Sequence, residues 1–156
     1  MKQKKTNQSK KTKQNELSIV TTLKTISMVC LLIYIAIIFY FALLPANDVP
    51  GSLFNINSLI LHFIEYIGLM LITSITLICW SNSRIITKSL ILGFIISILT
   101  EIVQIFVPTR CFSLIDVLVN ILGCLSFWIM GMIIMFIVFF SFVSHLFFPT
   151  EDEYGY

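Results

Sequence analysis

Four apolar runs, separated by short polar stretches, divide this chain. The first covers about 26–44, ISMVCLLIYIAIIFYFALL, and the second about 58–80, SLILHFIEYIGLMLITSITLICW. The third covers about 85–107, IITKSLILGFIISILTEIVQIFV, and the fourth begins near Leu114. A helix needs roughly 20 apolar residues to cross a bilayer, so each run predicts one spanning helix, the last over about 114–140. None of the runs alternates apolar with polar residues, which excludes a membrane β-barrel. The predicted fold is therefore all-α: a polytopic membrane protein built as a four-helix bundle.

The fourth run continues without a charge from Val117 to Phe148. As one helix it would be about 50 Å long, more than a single crossing and barely two. No turn signal divides it, so we read one tilted helix that ends at or beyond the inner interface, with His145 there as an interfacial residue. The first run is longer than the roughly 7–15 apolar residues of a secretory signal, and no small-x-small cleavage site follows it. It is read as a retained helix.

Composition agrees. The chain has 156 residues, 58% hydrophobic and 12% charged. Its mean hydropathy is +0.98. A soluble domain is usually about 25% charged, so there is too little polar surface here to coat a water-soluble globule. The length allows one small bundle, 26–148, flanked by a polar lysine-rich segment, 1–25, and a short acidic tail, 149–156. Residues 1–16 carry no apolar periodicity and are expected to be disordered.

Positive charge gives the orientation. Lys2, Lys4, Lys5, Lys10, Lys11 and Lys13 precede the first helix, and Arg84 and Lys88 follow the second. The first loop has no positive residue and the third has only Arg110. Both termini and the second loop are therefore expected in the cytoplasm. Asp48, between Pro45 and Pro50, is read as a solvated turn residue. The four cysteines have no CxxC spacing. Three of them, Cys30, Cys79 and Cys124, are read as buried small fillers in helices rather than as disulfide or zinc ligands.

The polar residues inside the apolar runs change the picture most. An ionised carboxylate in hydrocarbon costs on the order of 3 kcal/mol by insertion scales, so it needs a partner, water or a proton. His62 and Glu65 are spaced i, i+3, as are Glu101 and Gln104, while Asp116 and Asn120 are i, i+4. Each pair shares one helix face. On the predicted topology all six lie within roughly 3–12 Å of the same outer boundary. Gly68 and Gly123 would allow close helix approach. Pro108 would help end the third helix and aim Arg110 at the mouth of a shared polar site. Glu65, Glu101 and Asp116 outnumber the positive groups. Either a carboxylate holds a proton, or a cation or cationic ligand is bound.

The blocks LHFIEYIGL at 61–69, TEIVQIFVPTR at 100–110 and SLIDVLVNILG at 113–123 resemble those of VanZ-like membrane proteins. Order and spacing agree: H-x-x-E-Y, E-x-x-Q, P-x-R, then D-x-x-x-N-x-x-G. The resemblance covers roughly residues 30–135. It implies a small bacterial plasma-membrane protein with mostly four helices, in a family whose namesake reduces susceptibility to teicoplanin and related lipoglycopeptides. It points to His62, Glu65, Tyr66, Glu101, Gln104, Arg110, Asp116, Asn120 and Gly123.

Three functions compete at this point. One is binding or modification of envelope chemistry at the outer leaflet. There Arg110 would hold a carboxylate or phosphate of a membrane lipid, a lipid-linked cell-wall precursor or a lipoglycopeptide. The second is an intramembrane enzyme acting on a lipid head group. His62, Glu65, Glu101 and Asp116 would then bind a divalent metal or act as acid and base. No HExxH or GxSxG signature is present, so no metal ligand set or cofactor is assigned from sequence. The third is a structural or transport-accessory subunit. No nucleic-acid partner is expected.

Overall fold

The computed structural model describes residues 2–45, 58–80 and 83–147. Four helices follow in order: α1 (Lys2–Leu43), α2 (Ser58–Trp80), α3 (Ile85–Gln104) and α4 (Leu114–Phe147). No strand occurs among the described residues. All four helices are long and apolar enough to cross a membrane. The Asp48 loop, the EDEYGY tail and the His145 side chain lie outside what is described.

Two ends differ from expectation. The segment expected to be disordered is helical from Lys2 onward. It contains neither Gly nor Pro before the end of α1. A helix already nucleated by an apolar span extends at little cost per residue. Thr21, Thr22 and Thr25 return their hydroxyls to the carbonyls of Leu17, Ser18 and Thr21, at 2.9–3.1 Å. At the other end, α4 is one unbroken helix of 34 residues, longer than the 114–140 span. It outreaches a hydrocarbon core of about 30 Å, as a single long helix should.

α2 is the central helix and packs against the other three, while α3 also packs against α1 and α4. The core gathers Leu31 and Ile38 of α1, Tyr66, Leu69 and Met70 of α2, Ile96 of α3 and Cys124 of α4. Two glycines permit this. A Cβ on Gly123 would lie 2.6 Å from the Phe63 carbonyl oxygen, so α4 crosses α2 backbone to backbone there. A Cβ on Gly68 would strike the Tyr34 hydroxyl. That hydroxyl donates to the Glu65 carbonyl at 2.9 Å, tying α1 to α2. Small residues at such crossings replace the hydrophobic drive that lipid cannot supply.

Apolar side chains point outward along every helix, including Leu32, Ile64, Phe94 and Leu118. In water this would be a fault; against acyl chains it is the expected surface. The cysteines follow the same logic. All four are free, but only Cys124 is buried in the protein, while Cys30 is exposed and Cys79 half-buried. The filler reading therefore holds for Cys124 and is corrected for Cys30, which lies on an outward face of α1. At the end of α1–α2 contact, Trp80 Nε1 donates to the Lys24 carbonyl at 3.0 Å, and the Lys24 ammonium sits 5.9 Å from the indole centre. These contacts tie the end of α2 to α1.

Candidate functional site

The opposite end of the bundle carries the polar residues. On α3 the buried positions are Ser89, Gly93, Ile96, Ser97, Thr100, Glu101 and Gln104, a stripe at helical spacing that turns polar toward its C-terminus. α3 stops at Gln104, earlier than the expected 107. Ile105, Phe106 and Val107 instead donate to carbonyls three residues back, at 3.0–3.2 Å, which tightens the chain before Pro108 removes the next donor. Arg110 then donates its backbone N–H to Val107 at 3.0 Å. Ser113 starts α4 as its N-cap: its Oγ accepts from Asp116 N–H at 3.2 Å and its carbonyl from Val117 N–H at 3.2 Å. This compact reversal folds the start of α4 back beside the end of α3.

The reversal places Glu101 and Asp116 near each other, and α2 adds His62. One donor atom from each of His62, Glu101 and Asp116 falls within 4.8 Å of the other two. Glu101 is fully buried. Its Oε2 accepts the Ser113 backbone N–H at 3.1 Å. Its Oε1 is buried and has no hydrogen-bond partner among the described residues. Glu65 stands beside the cluster, with Oε2 3.8 Å from His62 Nδ1. That is a loose contact, an ion pair only when His62 is protonated, and too long for a hydrogen bond.

The remaining expected residues divide. Tyr66 and Asn120 are fully buried and serve the helix interfaces beneath the cluster. The Thr100 hydroxyl donates to the Ser97 carbonyl at 2.9 Å, so the Tyr66 hydroxyl, 3.1 Å from Thr100 Oγ1, is the donor in that pair. Asn120 Nδ2 donates to Ser97 Oγ at 3.2 Å. Gln104 is buried at the very end of α3, and its Nε2 has no partner among the described residues.

Arg110 is half-buried. Its Nε donates to the Leu44 carbonyl at 3.0 Å, joining the α3–α4 loop to the end of α1. This contact does not pair it with Glu101 or Asp116. Among the described residues the contact within 4 Å between a carboxylate and a basic side chain is Glu65–His62.

Ser97, Thr100, Ser113 and Tyr34 also build the site and were not singled out from sequence. Ser97 and Thr100 had a usable signal, because they extend the Glu101–Gln104 stripe toward the middle of α3 at helical spacing. Ser113 had one too, three residues before Asp116 in a capping pattern. Tyr34 had none, since nothing in the first run marks it.

The VanZ/LLP1 family model matches residues 5–139. Comparison with curated proteins and with solved structures gives no match. A match across most of the chain, four apolar helices and the convergence of three sequence blocks at one end of the bundle agree. The chain belongs to the VanZ/LLP1 family of multi-pass membrane proteins.

Proposed function

We propose that this protein acts at the outer face of a bacterial plasma membrane. There it binds the head group of an envelope lipid, a lipid-linked cell-wall precursor or a lipoglycopeptide, and so lowers susceptibility to teicoplanin-type antibiotics. The observation that carries this reading is the meeting of His62, Glu101 and Asp116 within 4.8 Å at one end of a bundle that is otherwise apolar outside. Polar groups this costly in hydrocarbon mark ligand or ion sites. An acyl chain can lie against the outward apolar faces while its head group meets the cluster. Arg110 is the one lysine or arginine in the sequence between Lys88 and the C-terminus, and it sits at this end. Lys24, Arg84 and Lys88 lie toward the other end, where positive charge favours the cytoplasm.

The test pairs two measurements: native mass spectrometry of the purified protein for co-purifying lipid, and teicoplanin susceptibility of a host expressing it. A defined head group that is lost in Arg110→Ala, together with protection, is the expected result. A lipid-free protein that gives no protection would overturn the reading.

A second reading is an enzyme acting on a lipid head group. The juxtaposition of an imidazole with two carboxylates favours it, because such a set can relay protons or activate water. Release of a head-group fragment that stops in Asp116→Asn and Glu101→Gln would distinguish catalysis from binding.

A further inference from the structure

We propose that His62, Glu101 and Asp116 bind one divalent metal ion of the zinc class, with a further coordination position open to a phosphoryl oxygen. The open-position half rests on the head-group reading above; the metal half stands independently of it, on the geometry, burial and charge of the site.

Three observations carry the metal. The first is convergence from three different helices, with donor atoms no more than 4.8 Å apart. Ligand atoms around a tetrahedral zinc with bonds of about 2.1 Å are separated by about 3.4 Å. A closure of at most about 1.4 Å, within the reach of side-chain rotation, would complete the set. The second is Glu101 Oε1. It is buried in a fully buried residue and has no partner among the described residues, although its sister oxygen is held by Ser113. A buried carboxylate oxygen without a donor is costly unless a cation or proton meets it. The third is charge. Glu65, Glu101 and Asp116 against Arg110 leave an excess of two negative charges with His62 neutral, which is the charge of one divalent ion.

The donor types narrow the ion. One imidazole with two carboxylates suits zinc and its neighbours better than magnesium, which keeps several waters and demands octahedral oxygen ligation. Three protein ligands leave a position for water or a ligand oxygen. Glu65 then has a role. It faces His62 Nδ1 at 3.8 Å, placed to accept a hydrogen bond from Nδ1–H after a small closure and so leave Nε2 for the ion. Glu65 is a positioning residue in this arrangement and not a ligand.

The experiment uses the full chain, purified in detergent through a tag without histidine, stripped with chelator and titrated with zinc and with cobalt(II). Metal content is read by mass spectrometry and coordination by the cobalt visible spectrum. About one ion per chain is expected, with affinity at least tenfold weaker in His62→Gln and in Asp116→Asn, and roughly 10–100-fold weaker in Glu65→Gln with the ion count kept. Unfolding temperatures of the metal-free proteins identify any variant that misfolds. Two ligand variants on different helices, with Glu101→Gln as a third, keep the comparison decisive. No stoichiometric binding, or binding unchanged in the ligand variants, overturns the metal site; a proton on Glu101 would give the former. Inorganic phosphate should then shift the cobalt spectrum. Cobalt bound but indifferent to phosphate overturns the open-position half alone. Head-group lipid retained by a protein that binds no metal would leave the reading of the pocket and remove the ion.

Discussion

The Ser113 backbone N–H and the Glu101 carboxylate meet at 3.1 Å, and this contact joins the start of α4 to the buried end of α3. The same carboxylate therefore serves both the fold and the site. One oxygen holds the loop reversal, and the other faces inward without a partner among the described residues.

Glu101→Gln separates these roles. The amide oxygen can still accept from Ser113, and a neutral side chain is cheaper to bury in a membrane protein. The variant should unfold in detergent at the wild-type temperature or above it. It should lose head-group retention and any antibiotic protection. A stable and fully active Gln variant would reduce Glu101 to a structural link.

Arg110→Ala should leave membrane insertion intact and abolish function. It removes both the bond to Leu44 and the guanidinium charge at this end of the bundle. Arg110→Lys should rescue poorly, because lysine cannot hold the Leu44 carbonyl and grip a phosphate with the same planar fork. Lipid retention in native mass spectra reads the outcome. Full retention in the lysine variant would show that a point charge suffices.

Gly123→Ala should destabilise the bundle by roughly 1–3 kcal/mol, the usual range for overpacking. The added methyl would meet backbone, the Phe63 carbonyl at 2.6 Å, which cannot rotate away. Gly131→Ala is the internal control. Nothing lies within 4 Å of a Cβ there, so helix propensity should leave it neutral or stabilised by up to about 1 kcal/mol. Thermal unfolding of both variants in one detergent checks the contrast.

Tyr66→Phe should cost about 0.6–1.7 kcal/mol, as interhelical hydrogen bonds in membranes do. The bond to Thr100 is lost, and Thr100 keeps its own acceptor at Ser97. Function should persist. Loss of ligand binding at unchanged stability would place the Tyr66 hydroxyl in the site after all.

Cys111 is exposed in the α3–α4 loop. A membrane-impermeant thiol reagent added to intact cells should label it, and Lys2–Lys13 should resist external protease. Cleavage of that segment from outside would reverse the orientation and move the polar site to the inner leaflet.

The sequence by itself determined the four helices, both ends of α2, the starts of α3 and α4, the end of α1 to within a residue, and the meeting of the polar groups at one end of the bundle. Each of these follows from local periodicity and from the cost of charge in hydrocarbon. His62, Glu101 and Asp116 were legible because an ionisable group in an apolar run must be met by a partner, water or a proton. The glycine contacts were legible at Gly68 and Gly123 for a similar reason, since a small residue on a polar stripe implies a close neighbour. The helicity of the lysine-rich segment was missed, because its composition resembles that of a disordered tail and only continuity with α1 favours a helix. Which polar groups touch was decided by tertiary structure alone. Helical spacing fixes the face and depth of a side chain, but not the rotation of one helix against another. Turning α3 and α4 through the tight 105–113 reversal set Asp116 beside Glu101 and left Glu65 at the edge. The same reversal sent Arg110 to the Leu44 carbonyl instead of to a carboxylate, because a backbone oxygen at the end of α1 came within its reach.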